Sequence, residues 1–424
     1  MTQPHAATST LPVPTAVVVF AAFALTYFLS ALLRAITATL SPTLSAEFGL
    51  QARDLGLLAG GYFLGFSLTQ LPLGNWLDRH GPKRVVLGFL GVAVLGAAAF
   101  ALANQFATLL AARMLTGMGV SACLMAPLTG FRRWLSPSAQ LRANSWMLMT
   151  GSLGMLASTL PVQWLMPLMG WRGLFWGLAL LLLLAMGVLA LAVPRWAPAV
   201  PAMDEGVPAG YAAVWRSRFF WKMVPLGFFC YGGMVAMQTL WAGPWMVRVA
   251  GYTPAQAAAG LFWLNGCMLL AFWTWGLVNP SLARRGVTAP RMIAAGLPLS
   301  FVLLATNIVQ GTETGWAGWA AYCVSLTVVS LTQPAVALAL PPALAGRALS
   351  AYNLVIFSGV FVVQWGIGLM IDGLLSLGWP QVAAFQGAMA AYFVACVASY
   401  AWFLIFRVEG RAPPPERQVG AQAR

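Results

Sequence analysis

The stretch Gly74–Arg84 reads GNWLDRHGPKR and lies where one long apolar segment ends and the next begins. It combines glycine and proline with one acid and three Lys or Arg residues, in a chain where only 8% of residues are charged. Glycine and proline favour turns, and charges avoid hydrocarbon. The stretch therefore predicts a polar turn between two membrane helices.

The composition of the whole chain indicates a membrane protein. Hydrophobic residues make up 60% of it and the mean hydropathy is +0.79, whereas soluble domains hold about 45–50% apolar and about 25% charged residues. Charged and Pro/Gly-rich breaks divide the sequence into twelve apolar stretches, each near the ~20 residues that an α-helix needs to cross a bilayer. We expect an all-α membrane protein with transmembrane helices at 14–40, 54–75, 84–103, 107–128, 143–167, 172–193, 221–247, 254–279, 288–309, 315–340, 348–371 and 382–406.

The positive charges predict the orientation of these helices. If both termini are cytoplasmic, 18 of the 23 Lys and Arg residues fall on the cytoplasmic side, where such residues collect in membrane proteins. The net charge of +14 then reflects contact with the lipid bilayer, and no nucleic-acid partner is expected. Residues 1–14 lack the features of a cleaved secretory signal. We expect a multi-pass monomer in the inner membrane.

The sequence repeats itself, which predicts two pseudo-symmetric halves of six helices each. A shift of 202 residues places Thr37 on Thr239 and Pro42 on Pro244, and a shift of 205 places Arg142 on Arg347. Parallel repeats of this kind place a substrate site between the halves, near the middle of the membrane. The expected parts are a tail at 1–13, a first half at 14–193, a polar linker at 194–220, a second half at 221–406 and a tail at 407–424.

The Gly74–Arg84 stretch resembles the signature loop of the major facilitator superfamily of transporters. That loop has glycine, three residues, Asp-Arg, one residue, glycine and a basic cluster, and every fixed position is present here. In the family it joins helices 2 and 3 on the cytoplasmic face, and its carboxylate contacts the other half when the cytoplasmic gate is shut. The resemblance implies the major facilitator fold and a gating role for Gly74, Asp78, Arg79, Gly81, Lys83 and Arg84.

The gating interpretation carries a positional expectation. Asp78 should lie near the start of helix 11, around Arg347 to Ala351, because helix N-terminal amides favour a carboxylate. The alternative is that the loop only orients the helices by its charge. The matching stretch of the second half, Gly276–Gly286, has Pro280 and Ser281 in place of an Asp-Arg pair, so gate control should be asymmetric.

Helix 4 is similar to the same helix of this superfamily in a second motif. An arginine is followed by glycines four and six residues later: Arg113, Gly117 and Gly119. Such glycines let helices approach closely, and the arginine has either a structural or a functional role. The Gly-Pro pattern found on helix 5 of drug/proton antiporters is not matched by Gly151–Pro161, which weakens an efflux interpretation.

Arg34 is the main candidate for substrate binding. It is the only charged residue before Glu47, and an arginine inside a membrane helix costs about 2.5 kcal/mol or more unless it is compensated. The segment Tyr27–Arg34 is similar to the first helix of bacterial organic-anion and organophosphate carriers, in which the matching arginine holds the anionic group of the substrate. The alternative is an arginine bonded to backbone carbonyls. The matching residue of the second half is Ala236, which favours a carboxylate over a phosphate dianion.

Uncharged residues on several helices complete the predicted chamber. Each can equally form an interhelical hydrogen bond, worth ~0.6 kcal/mol on average, but together they suit an organic anion with an apolar body. They are Tyr27, Ser30, Gln238, Trp241, Trp245, Asn265, Gln333 and Asn353. Proton-coupled relatives commonly hold acids beside the arginine and on helix 4, which this chain lacks. Asp54 and Asp372 remain as candidates to carry a coupling proton or sodium ion, or else as helix-end residues.

The sequence does not favour other classes of function. Five cysteines without paired spacing and two histidines predict no metal site, and no nucleotide-binding loop, cofactor motif or nucleophile–base pair is visible. We expect a carrier that moves a small organic anion by alternating access across the bacterial inner membrane, either as a secondary active or a facilitative transporter. The alternatives are a proton-driven multidrug or metabolite exporter and a membrane sensor that does not transport.

Overall fold

The computed structural model describes residues 11–196, 210–341 and 344–406, and every regular element in these ranges is a helix. This follows from the solvent, because a backbone in hydrocarbon must satisfy its own hydrogen bonds. Within the described ranges, ten helical stretches are long and apolar enough to cross a membrane individually. The predicted tails and the centre of the predicted linker lie outside these ranges, so the domain boundaries stay predictions.

The first half contains six spans, some of which share one continuous helical stretch. Kinks at Gly81 and Gly170 separate spans 2 and 3 and spans 5 and 6. Span 1 is Val13–Phe48, span 2 is Ala52–Leu68 with the first part of Gln70–Leu102, span 3 is the rest of Gln70–Leu102, span 4 is Phe106–Trp134, span 5 is Pro137–Ala157 with the first part of Leu160–Ala192, and span 6 is the rest of Leu160–Ala192.

The second half repeats this arrangement, and the predicted fold of twelve spans in two halves is confirmed. Span 7 is Arg218–Arg248, span 8 is Pro254–Arg284, span 9 is Ala289–Gln310, span 10 is Trp316–Leu338, span 11 is Ala345–Ser376 and span 12 is Gln381–Ile405. The turns match as well. Glycines with positive φ occur in three corresponding pairs, Gly49 with Gly251, Gly81 with Gly286, and Gly170 with Gly378, because glycine alone adopts this backbone conformation readily.

Small residues bring span 4 against its neighbours. A side chain on Gly117 would collide with the Tyr62 carbonyl of span 2, and one on Gly119 would collide with the Ala93 backbone of span 3. Close approach of this kind drives helix association in lipid, where no hydrophobic force acts between helices. The glycines of the helix-4 motif therefore pack the first half together.

The two halves meet along spans 2 and 11. Gly56 of span 2 lies against the Gln364 carbonyl, and Gly368 of span 11 lies against the Ala52 carbonyl. Span 1 also contacts span 7. Span 7 contains two π-helical turns, at Leu226–Tyr231 and Met237–Trp241, a departure from α-helix that is frequent at functional sites. Spans 1, 2, 7 and 11 thus surround the interface between the halves.

Candidate functional site

Arg34 lies at the interface between the halves, beside a pair of aromatic rings. Its guanidinium carbon is 5.7 Å from the ring centre of Phe66 on span 2 and 6.0 Å from that of Phe357 on span 11. The two ring centres are 4.4 Å apart. Arg34 is half-buried, and its Nε is buried without a hydrogen-bond partner in the described part of the chain. The guanidinium therefore contacts ring faces, which attract cations, while its Nε–H donor remains unused in these residues.

No carboxylate neutralises this charge in residues 11–196, 210–341 and 344–406. The ion pairs found there join Glu47 to Arg172, and Arg53 to Asp54 and Asp372. A charge removed from water without a partner is costly. An anion that enters between the halves would therefore meet a positive charge that has no carboxylate partner in these residues.

Arg113 holds the backbone that carries Arg34. It is fully buried, and its Nη1 and Nη2 donate to the carbonyl oxygens of Leu33 and Arg34 at 2.7 and 3.3 Å. Its guanidinium carbon lies 4.9 Å from the ring centre of Tyr62. This geometry favours the structural interpretation of the helix-4 arginine, since it fixes span 1 at the candidate binding residue.

Three tyrosines lie close enough to Arg34 to interact with its charge: Tyr27, Tyr62 and Tyr231. The Tyr62 hydroxyl donates to the carbonyl oxygen of Ser30 at 3.2 Å. Ser30 itself is fully buried and its Oγ donates to the Val120 carbonyl at 3.4 Å. The structure thus places Tyr27 beside Arg34, and Ser30 behind it in the packing of spans 1, 2 and 4.

A chain of polar groups continues from Tyr231 into the second half. The Tyr231 hydroxyl donates to Oε1 of Gln333 at 3.4 Å, and Nε2 of Gln333 donates to Oδ1 of Asn353 at 2.6 Å. Asn353 precedes Phe357 by four residues on span 11, so both face the same side of the helix. Of the second-half candidates, Asn353 is the one whose contacts connect it to the surroundings of Arg34.

The other second-half candidates make hydrogen bonds within their own half. Nε2 of Gln238 donates to Oδ1 of Asn265 at 2.8 Å. Trp241 and Trp245 are fully buried, and their ring nitrogens donate to the carbonyls of Gln364 and Thr314 at 3.1 and 3.2 Å. A role for these residues in substrate binding stays a prediction.

The signature loop lies near the start of span 11. A Cβ on Gly74 would lie 3.8 Å from Oγ of Ser350. Asp78, one turn later, is exposed, and its charge and that of Arg347 both act on Tyr211. The Tyr211 hydroxyl donates to the Leu71 carbonyl at 2.7 Å, and burial raises its pKa. The gating role stays a prediction.

The remaining loop residues hold the turn and face outward. Gly81 has φ of 77° and ψ of 162°, and a side chain there would collide with Trp196. Nζ of Lys83 donates to the Val193 carbonyl at 2.7 Å, whereas Arg79 and Arg84 are exposed. We call the end of the bundle with residues 74–84 the loop end, and the end with residues 49–53 the far end.

The two acids proposed for coupling both cap span 2 at the far end. Asp372 of span 11 accepts from the backbone nitrogens of Ala52 and Arg53 at 3.1 and 2.8 Å. Asp54 accepts from that of Gln51 at 3.1 Å. Carboxylates stabilise helix N-termini in this way. The contacts favour the helix-end interpretation, and those of Asp372 also join the two halves.

Comparison with known proteins decides the family. A sequence profile described as Major Facilitator Superfamily matches residues 23–364. This chain belongs to the major facilitator superfamily. The predicted resemblance is confirmed, and membership of this superfamily indicates a multi-pass membrane transporter rather than an enzyme.

Curated relatives of this superfamily member bear the names of organic-acid transporters. One is a "Probable L-galactonate transporter" from Escherichia coli (strain K12), 27% identical over 65% of this chain and 56% of the relative. Another is a "4-hydroxybenzoate transporter PcaK" from Pseudomonas putida, 31% identical over 35% of this chain and 33% of the relative. A "3-(3-hydroxy-phenyl)propionate transporter" from Escherichia coli (strain K12) is 26% identical over 61% of this chain and 68% of the relative. The matches thus span a third to two thirds of these relatives.

Solved structures of other proteins show the same fold over nearly the whole of this chain. A bacterial homolog to the human lysosomal transporter Spinster, in an inward-facing and occupied conformation, has a TM-score of 0.76 at 16% identity, covering 93% of this chain and 97% of that one. A D-xylose-proton symporter has a TM-score of 0.73 at 13% identity, covering 93% and 98%. At these identities the likeness extends to the fold alone.

The sequence pointed to Arg34, Tyr27 and Asn353 but missed several of their neighbours. Tyr62, Phe66, Tyr231 and Phe357 were not among the predicted binding residues, whereas Gln333 was among the uncharged candidates for the chamber. Tyr62 and Phe66 stand four residues apart and so share one helix face, but the sequence holds 24 Phe and 9 Tyr. An aromatic pair at helical spacing is therefore too common here to mark a site.

Proposed function

We propose that this transporter carries a small organic anion, a carboxylate, across the bacterial inner membrane by alternating access. One observation carries the proposal: the guanidinium of Arg34 stands between the halves with no carboxylate partner in the described residues. A planar guanidinium can donate two parallel hydrogen bonds to a carboxylate. The substrate's carboxylate would supply the compensation that the protein does not.

The walls around Arg34 suit the rest of such a substrate. Phe66 and Phe357 offer ring faces to an apolar body, and the Gln333–Asn353 pair offers hydrogen bonds to a hydroxyl group. The named substrates of the relatives, galactonate, 4-hydroxybenzoate and a hydroxyphenylpropionate, are all carboxylates that bear hydroxyl groups. These names support the proposal for an organic acid.

Rocking of the two halves would expose Arg34 to each side in turn. Phe66 belongs to the first half and Phe357 to the second, so the walls of the site move relative to each other during the cycle. At the far end, Asp372 joins span 11 to span 2. At the loop end, we assign the corresponding task to Asp78 near the start of span 11. We assign the loop end to the cytoplasm.

Thermal unfolding with a panel of organic anions tests this function. Ligands that bind only the folded protein stabilise it by about 2.7 kcal/mol at a concentration of 100 Kd. We expect some carboxylates to raise the melting temperature of the wild type and of Arg53→Gln, a control that removes an arginine at the far end. The same compounds should leave Arg34→Gln unchanged. If neutral or cationic amphiphiles stabilise all three proteins and anions stabilise none, an exporter replaces the anion carrier.

A further inference from the structure

In the described ranges, all acidic side chains lie away from the middle of the membrane. Of nine Asp and Glu residues, five are in the described ranges, each within about a turn of a span end or in a turn between spans: Glu47, Asp54, Asp78, Glu313 and Asp372. Asp204, Glu205, Glu409 and Glu416 fall in the predicted linker and C-terminal tail. The two histidines, His5 and His80, belong to the N-terminal tail and the signature loop. By position, no carboxyl or imidazole group of the described residues lies in the central part of a span, where it could take up a proton beside Arg34.

The groups that face Arg34 are phenol, thiol and phenyl groups rather than carboxylates. Its charge interacts with tyrosines on spans 1, 2 and 7 and with Cys123 on span 4, while span 11 contributes the ring of Phe357. Tyrosine and cysteine ordinarily titrate near pH 10 and 8.5, and arginine does not lose its proton in proteins. The second arginine, Arg113, adds positive charge at the backbone of span 1. The empty site is therefore cationic throughout the physiological pH range.

This charge distinguishes the loaded from the empty transporter. Alternating access passes through a state that is closed at both ends, in which the site loses its contact with water. Enclosing an uncompensated arginine in the membrane interior should slow that step by roughly 70-fold or more. A bound carboxylate cancels the charge and removes most of the penalty. The loaded protein can thus change conformation quickly, and the empty one only slowly.

We propose that this transporter is an anion exchanger, which returns loaded with a second carboxylate, rather than a proton symporter. The inference rests on the proposed function, since it requires that Arg34 bind a carboxylate. It assigns the driving force to the gradient of the counter-anion. Exchange of two monoanions moves no net charge and no proton.

Reconstituted vesicles test the exchange. The full-length protein is placed in proteoliposomes that contain either an unlabelled carboxylate or buffer alone, and uptake of the same carboxylate in radiolabelled form is measured. We expect internal carboxylate to raise the initial rate at least ten-fold, and a pH gradient, acid outside, to leave it unchanged. Equal uptake into vesicles with and without internal carboxylate, driven by the pH gradient, would overturn the exchanger and leave the anion carrier standing. No uptake in either, despite binding, would overturn both.

A variant with an added carboxylate near Arg34 tests whether the uncompensated positive charge is what slows the conformational change of the empty protein. Asn353→Asp places a carboxylate one helical turn from Phe357 and beside Gln333, whereas Asn353→Leu removes the same amide without adding charge. The quantity to compare is the uptake rate into vesicles that contain carboxylate, divided by the uptake rate into vesicles that contain buffer alone. We expect this ratio to fall towards one in Asn353→Asp and to stay high in Asn353→Leu. A ratio equally high in both would contradict the charge argument, and since it is a ratio it does not depend on the amount of folded protein.

Discussion

Arg34 and Arg113 are neighbouring arginines inside the membrane whose guanidinium groups make different contacts. The Nη groups of Arg113 donate to two carbonyls of span 1, whereas the guanidinium of Arg34 lies beside two aromatic rings, and the buried Nε of each arginine has no partner in the described residues. Hydrogen bonds from charged donors stabilise proteins by about 1.5–3 kcal/mol, and an unpaired buried charge costs free energy. The two residues should therefore affect stability with opposite sign.

Substitution of each arginine by glutamine measures this difference in the absence of substrate. We expect Arg113→Gln to lower the melting temperature of the purified protein by several degrees, because two carbonyl contacts are lost. Arg34→Gln should leave it unchanged or raise it by about 2 °C, because an uncompensated charge is removed. A large destabilisation by Arg34→Gln would indicate a structural arginine and would contradict its assignment as the anion site.

At the scale of single residues, the sequence identifies Arg34 as a candidate binding residue, but it does not identify the aromatic residues that lie beside it in the structure. Arg34 stands out because no other charge occurs in its apolar helix, and its burial requires a physical explanation. Phe66 and Phe357 come from different halves, and only the packing of span 2 against span 11 brings their rings to the same guanidinium. No spacing in the chain could have paired them.

Spans 2 and 11 form a reciprocal pair of helices. At the far end, the carboxylate of Asp372 on span 11 accepts from the first amides of span 2. At the loop end, Asp78 lies in the last turn of span 2, and Gly74, one turn earlier, approaches Ser350 near the start of span 11. Each helix thus carries a carboxylate near the N-terminus of the other, at opposite ends of the bundle.

Neutralising either carboxylate should open the end at which it lies. Asparagine keeps one capping oxygen but removes the charge, and a carboxylate charge at a helix N-terminus contributes about 0.3–1 kcal/mol, enough to change a two-state population by roughly 2- to 5-fold. We expect Asp372→Asn to increase the population with the far end open, and Asp78→Asn to have the opposite effect. Spin labels at Gln51 and Leu377, both exposed, would report the far-end distance, with Cys267 replaced because it is the one cysteine that is not fully buried. Identical distance distributions in the wild type and Asp372→Asn would exclude this role.

The sequence predicts the positions of the helices along the chain better than it predicts which face of each helix points towards the chamber. Twelve apolar stretches predicted the spans, because length and hydropathy suffice for this purpose. The π-helical turn Met237–Trp241 could not be foreseen, since it inserts an extra residue into span 7 and rotates the side chains that follow. Trp241 and Trp245, assigned to the chamber by helical spacing, lie fully buried in the structure.

The basic residues of the sequence predict the orientation of the whole molecule. With the loop end in the cytoplasm, 18 of the 23 Lys and Arg residues fall in segments that are predicted to lie on that side. We expect a fluorescent protein fused after Arg424 to fluoresce in bacterial cells, and alkaline phosphatase at the same position to be inactive. An alkaline phosphatase fused in the predicted external segment at 168–171 should be active. The reverse pattern would place the loop end outside.

At the scale of the molecule, the sequence alone indicated the superfamily but not the substrate. The signature loop is continuous in the chain, so it can be read directly. The surroundings of Arg34 come from spans 1, 2, 4, 7, 10 and 11, and they meet only when the halves assemble. Substrate choice depends on that assembly, which short motifs do not describe.

The contact of Gly368 with the Ala52 carbonyl leaves no room for even one methyl group. A larger residue at this position would act as a wedge that keeps the far end from closing, while Arg34, Phe66 and Phe357 remain intact. The protein would then expose its anion pocket to one compartment only and could no longer pass cargo to the other. A single added side chain would convert a membrane carrier into a fixed receptor, suited to capturing and identifying its natural ligand from cell extracts.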